Sequence, residues 1–399
     1  MREFAILTLL LILVSMLFAT LLIVNAQAKS WSWSKVESPA GAYFQSVNMV
    51  SSIDGWAVGN EGSIARWDGA KWGNVASPTN YKLASVCMVS STEGWAIAQR
   101  TDGWGNNQSI IRWDGASWRN VTSPTEGVLT SVDMVSPFEG WAVGLGGMVI
   151  RWDGTSWNRV EEPICYSVEL PGVVVEVSFN FPLESVDMVS STDGWAVGEK
   201  AVIIRWNGTS WTLEREPEFS GAPCLWSVDM VSSTDGWAVG SGGDIMRWDG
   251  TSWEYETSPT TKHLFSVDMI NSADGWAVGS DGCIIHWDGK SWSNVTSPTV
   301  AWFSCVDMVS STDGWIAGAD GMYRWQEEVA SFPADYLIIM VAVVVLAVVL
   351  VWFFVRNRQA QAKKSKSSRL RLKKERKFAG GIFICPGSNP SPPSHRKSP

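Results

Sequence analysis

Between Trp31 and Trp325 short apolar runs alternate with polar turns on a repeat of roughly forty residues. A typical unit reads SVDMVSSTDGWAVG, a small loop, IIRWDGTSW, and then a proline a few residues on. SVDMV, GWAVG and IIRW have the length and residue types of short strands. The Ser-Thr-Asp-Gly cluster and the later Asp-Gly mark the turns between them. Proline after the fourth strand blocks further pairing. No segment from Lys29 to Phe332 has the length and 3.6-residue period of a stable helix.

Three tryptophan sets fix the number of repeats. One follows Asp-Gly or Glu-Gly: Trp56, Trp95, Trp141, Trp195, Trp237, Trp276 and Trp315. The second closes the third strand: Trp67, Trp113, Trp152, Trp206, Trp248, Trp287 and Trp325. The third opens the fourth strand: Trp33, Trp72, Trp118, Trp157, Trp211, Trp253 and Trp292. Together they use 21 of the 26 Trp, so most of the tryptophan belongs to the repeat. Four strands per repeat and seven repeats predict an all-β, seven-bladed β-propeller. The seventh repeat ends at Trp325-Gln326-Glu327 without its SW strand, and the missing strand occurs at the other end, from Ser32 to Pro39. The expectation is a ring closed by an N-terminal outer strand.

GWAVG-x-x-G-x-I followed by a DG turn and Trp resembles the Asp-box, or bacterial neuraminidase, repeat propellers. It is most similar to those like the photosystem II stability/assembly factor. The resemblance covers Trp31 to Trp325 and implies a propeller scaffold. It departs from the Asp-box at the turn: Asp68 to Trp72 takes four steps where that motif takes five.

The ends of the chain read differently. Phe4 to Val24 is apolar and precedes Ala26-Gln27-Ala28, so residues 1–28 are read as a signal peptide, with an uncleaved N-terminal anchor as the alternative. Leu337 to Val355 is nineteen residues without a charge, about 28 Å as a helix, which predicts one C-terminal transmembrane helix over 336–355. The net charge of −9 is the sum of +12 in Arg356–Pro399 and −21 in Lys29–Val355. Basic residues after the span predict a single-pass type I cell-membrane protein. Its propeller, 29–332, lies outside, and its tail, 356–399, is cytoplasmic and mostly disordered.

The recurring Trp are expected to pack between blades, and the recurring Arg to stack on Trp or pair with acids. The recurring strand acids, Asp133, Asp187, Asp229, Asp268 and Asp307, are expected to bond turn backbone. One Asp per blade cannot supply the six to eight oxygens calcium needs, so no metal and no cofactor is expected. Five Cys lie in the ectodomain, and Cys165 with Cys224 is the expected disulfide. Asn107, Asn120, Asn207 and Asn294 open glycosylation sequons.

Loop-length variation falls on one face, where Trp104, Trp226, Trp302, Tyr166 and Tyr81 stand outside the repeat pattern. Variable loops on a rigid scaffold are where binding usually resides. The reading is a surface binding module for an extracellular protein or glycan, and not an enzyme. The alternatives are a membrane-tethered assembly factor, and less favourably a sialidase-like hydrolase, for which no nucleophile and acid pair stands out. An acidic ectodomain excludes nucleic acid as partner.

Overall fold

The computed structural model describes residues 31–39, 42–99, 109–160, 165–170, 173–178, 180–217, 223–327 and 334–379. The side chains of 165–178 and of most of 334–351 fall outside the description. The chain divides into two units, Met1–Glu328 and Val329–Pro399.

The described part of the first unit is a seven-bladed β-propeller of seven four-stranded antiparallel sheets. Six blades use four consecutive strands, as in Phe44–Ser51, Asp54–Gly59, Ile64–Trp67 and Trp72–Val75. The seventh has the order Trp31–Val36, Gly321–Glu327, Asp313–Gly318, Phe303–Ser310. Its outer strand is N-terminal, with Trp33 opposite Trp325. The first strand of each blade packs against the first strand of the next, and that of the seventh against that of the first.

The turns explain the repeated residues. Asp68 Oδ1 accepts from the Ala70 and Lys71 amides at 2.9 Å, folding the four-residue turn that pairs Trp67 with Trp72. Gly69 and its equivalents hold φ between 86° and 92°, where a side chain is strained. The glycine before the first-set Trp serves contact: a Cβ at Gly194 would overlap the Met188 sulfur.

The blades are glued by tryptophan. Trp56 meets Trp113 at 4.6 Å and Trp118 edge to face at 5.4 Å, both from the next blade. The same triad recurs around the ring, and in the sixth-to-seventh interface Trp276 meets Trp325 and Trp33. Second-set indoles donate to the first turn, as Trp67 Nε1 does to Ser52 O at 3.1 Å. Arg66 lies over Trp56 at 5.1 Å and makes two bonds to Asp54. The other arginines follow suit, and His286 bonds Asp274 at 2.8 Å. The Arg or His at this position therefore serves packing and pairing in every blade.

Two differences from expectation stand out. Cys165–Leu170 and Val173–Ser178 form a two-stranded hairpin between blades three and four, where the sequence was read only as a long link. The second unit contains a helix, α1, over Ala334–Ala379. It runs on through the basic segment expected to be mostly disordered. That segment is rich in Lys, Arg, Gln, Ala and Leu and meets its first glycine at Gly380. Among the described residues no helix is long and apolar enough to cross a membrane. The expected span falls largely on undescribed side chains, and residues 1–28 lie outside the described residues.

Candidate functional site

Antiparallel order places the second-to-third and fourth-to-first connections at one end of the ring, the loop end. The remaining turns share the opposite, turn end. Every first strand begins at the loop end with a bulge, as between Phe44 and Ser46 or Leu183 and Ser185. A bulge re-aims the extra side chain. The bulged residues, in blade order, are Gln45, Ala84, Thr130, Glu184, Trp226, Phe265 and Ser304. They ring the mouth of the central channel.

Three residues further along the same strands, roughly 10 Å deeper, come Asn48, Cys87, Asp133, Asp187, Asp229, Asp268 and Asp307. These acids do not bond turn backbone, as the sequence suggested. Each accepts the Met amide of the next blade's first strand: Met230 N to Asp187 at 2.8 Å, Met269 N to Asp229 at 2.7 Å, Met49 N to Asp307 at 2.8 Å. Asn48 takes the same part for Met88 N and donates to Asp307. The partner is an amide 40 to 55 residues away, brought close by packing of adjacent blades, except that Asp307 and Met49, 258 residues apart, meet where the seventh blade packs on the first. A serine ring between mouth and acids bonds likewise, as Ser46 Oγ accepts Val86 N.

The five carboxylates keep some accessible area yet are packed round by neighbouring strands. Burial pushes each of them up, Asp307 to about 6, and at Asp187, Asp229 and Asp268 repulsion from ring neighbours adds to it. Among the described residues no three His, Cys, Asp or Glu groups are placed to hold a metal ion.

The mouth has two unlike halves. On blades five to seven Trp226 packs on Phe265 at 5.1 Å and edge-on to His263 at 5.2 Å, and Phe265 reaches Trp302 at 6.2 Å. Trp302 is 54% exposed and Val300 84%. Trp226 and Phe265 are half-buried, so Trp302 and Val300 are the parts of this cluster most open to solvent. On blades two to four stand Lys82 and Glu184. Burial lowers the Lys82 ammonium and raises the Glu184 carboxyl, and each charge partly restores the other. Glu199 adds a second negative charge beside Glu184.

The structure thus brings Trp226 and Trp302 together through Phe265. Tyr81 is half-buried in a separate depression with Ser77, Pro78, Thr79, Asn80 and Asn120. Trp104 and Asn107 lie outside the described residues, as do the side chains of Tyr166 and Cys165. Asn120, Asn207 and Asn294 are exposed; Asn120 and Asn294 donate to Pro78 O and Pro259 O, and Asn207 Oδ1 holds its turn. Cys224 is a free thiol, pushed up to about 12 by burial and by Glu184 and Glu199, with Sγ against Leu225 O. The expected disulfide with Cys165 is not formed at Cys224: its sulfur turns to its own strand's backbone. Sequence reading passed over Lys82 and His263, whose only signal is their place one or two residues before the bulge.

No protein-family model matches the chain, and no curated protein does. Solved structures do. YCF48 from Cyanidioschyzon merolae aligns at 20% identity over 74% of this chain and 98% of its own, with TM-score 0.58. YCF48 bound to a D1 peptide aligns at 16% over 75% and 95%, with TM-score 0.57. The WD40 propeller domain of Doa1 aligns at 14% over 76% and 100%, with TM-score 0.58. At these identities the likeness establishes the propeller fold and no more.

Proposed function

We propose that the chain is a tethered interaction module whose loop end takes a protein partner. The observation that carries this is the Trp226–Phe265–Trp302 cluster at the channel mouth, with half-buried Trp226 and Phe265 on the rigid first strands and exposed Trp302 just before the next one. Packing demands none of it, since the blade interfaces are filled by the other tryptophans. That a structurally similar propeller is known with a bound peptide favours protein over glycan as the ligand. An assembly role, holding a membrane-protein partner, is one form of this reading. The Asp-box resemblance, with its different turn length, supports the scaffold and lends no hydrolase chemistry.

The tether is proposed from sequence: Leu337–Val355 carries no charge and eleven Lys/Arg follow by Lys377. By the same pattern the propeller is proposed to lie on the outer side of a cell membrane. Strand Trp31–Val36 is proposed as the closure of the ring.

The test is capture from a native envelope extract by the full chain in detergent, with the Trp226→Ala/Trp302→Ala double variant alongside. A protein lost in the variant, with the melting temperature unchanged, supports the proposal. A glycan retained in its place, or capture indifferent to both residues, refutes it.

A further inference from the structure

The mouth pairs a partly exposed aromatic wall with negative charge. Trp226, Phe265 and Trp302 form the wall. Glu184 sits at the same strand position as Trp226, one blade away, and Glu199 stands beside it. Roughly 10 Å down the same strands lies the ring of five carboxylates. Lys82 is the one cation coupled to Glu184 among the described residues. The Lys29–Val355 segment as a whole carries −21. Channel walls of low dielectric focus such a field towards the opening. Aromatic faces beside carboxylates are the surface that a lysine ammonium or an arginine guanidinium prefers, because ring quadrupole and carboxylate attract the same charge. The molecule already makes this arrangement internally, with Arg66 over Trp56 and bonded to Asp54.

We propose that the mouth takes a lysine or arginine side chain presented on an extended segment of the protein partner, with the aromatic wall holding its stem and Glu184 holding its charge. This rests on the reading of the loop end as a protein-binding face. It adds that the partner segment is basic. An acidic segment would meet repulsion, and a neutral one would gain nothing from Glu184 and Glu199 beyond what Lys82 already supplies.

The experiment uses the full chain in detergent and three fluorescent twelve-residue Gly/Ser peptides, with central Arg-Leu-Arg, Gln-Leu-Gln or Glu-Leu-Glu. Binding is read by anisotropy at low and physiological salt. The Arg peptide is expected to bind at least about tenfold more tightly than the other two. Its affinity should fall several-fold with salt and with Glu184→Gln, a near-isosteric change that leaves the fold intact. Equal or tighter binding of the Gln or Glu peptide, still lost in Trp226→Ala, overturns the cationic assignment and leaves the binding face standing. No binding of any peptide, or binding unmoved by Trp226→Ala in a variant of unchanged melting temperature, overturns the binding face itself.

Discussion

Trp33 meets Trp276 edge to face with ring centroids 5.4 Å apart. The two residues stand near opposite ends of the propeller sequence, and Trp33 fills the part that Trp118 and Trp157 play against the preceding blade.

If this contact closes the ring, Trp33→Ala should cost about 3–5 kcal/mol, the range for emptying a large buried aromatic site. Trp31 stacks on Trp325 at 6.2 Å and is only half-buried, so Trp31→Ala should cost about 1 kcal/mol or less. Chemical denaturation of both variants gives the comparison. Equal effects would mean that the outer strand is dispensable.

The carboxylate ring makes stability rise as pH falls from neutrality. The five Asp are raised in the folded state, Asp307 to about 6, above the ordinary value of about 3.9. Folding therefore takes up protons above about pH 4, and the stability so gained is lost as pH rises through the folded values, at about 6 for Asp307. The turn acids Asp68, Asp114, Asp249 and Asp288 are lowered by bonds from turn amides or hydroxyls and act oppositely. Their contribution is present above about pH 4 and fades below it. The melting temperature should peak at about pH 4, where both contributions are largely present, and fall towards neutrality. Asp268→Asn should raise stability at pH 7 and flatten this rise. Asn48 already fills the equivalent position, accepting Met88 N and donating to Asp307.

Blade six departs from the repeat at His286, which bonds Asp274 through Nε2 alone. Arg324, at the equivalent place, bonds Asp313 twice and lies over Trp315 and Trp67. His286→Arg should therefore stabilise the domain by about 0.5–1 kcal/mol. A lower melting temperature would show that the smaller imidazole is required there.

Cys224 should be recovered as a free thiol. Pushed up to about 12, it will alkylate slowly at pH 8 in the native state and promptly in denaturant without reductant. A peptide joining Cys165 to Cys224 in non-reducing digests would contradict the structure.

The blade count and the Trp and Arg roles were legible because each repeat carries its own partners within about forty residues. The carboxylate ring's bonds were not, because Asp229 and the Met269 amide meet only across a blade interface. The hairpin at Cys165–Ser178 had a signal that was overlooked: alternating CYSVEL and VVVEVS around Pro-Gly. The aromatic wall was half legible. Trp226 and Trp302 stood outside the pattern, but their link through Phe265 depends on the bulge that starts each first strand.

The central claim is that the loop end holds a protein partner. Site-specific photo-crosslinking in native membranes tests it most directly, with a photoreactive residue at Trp302 on the loop end and another at Phe138, 72% exposed on the turn end. A discrete protein adduct at 302 and none at 138 is the expected result. Adducts at 138 alone, or the same adducts at both, would contradict it.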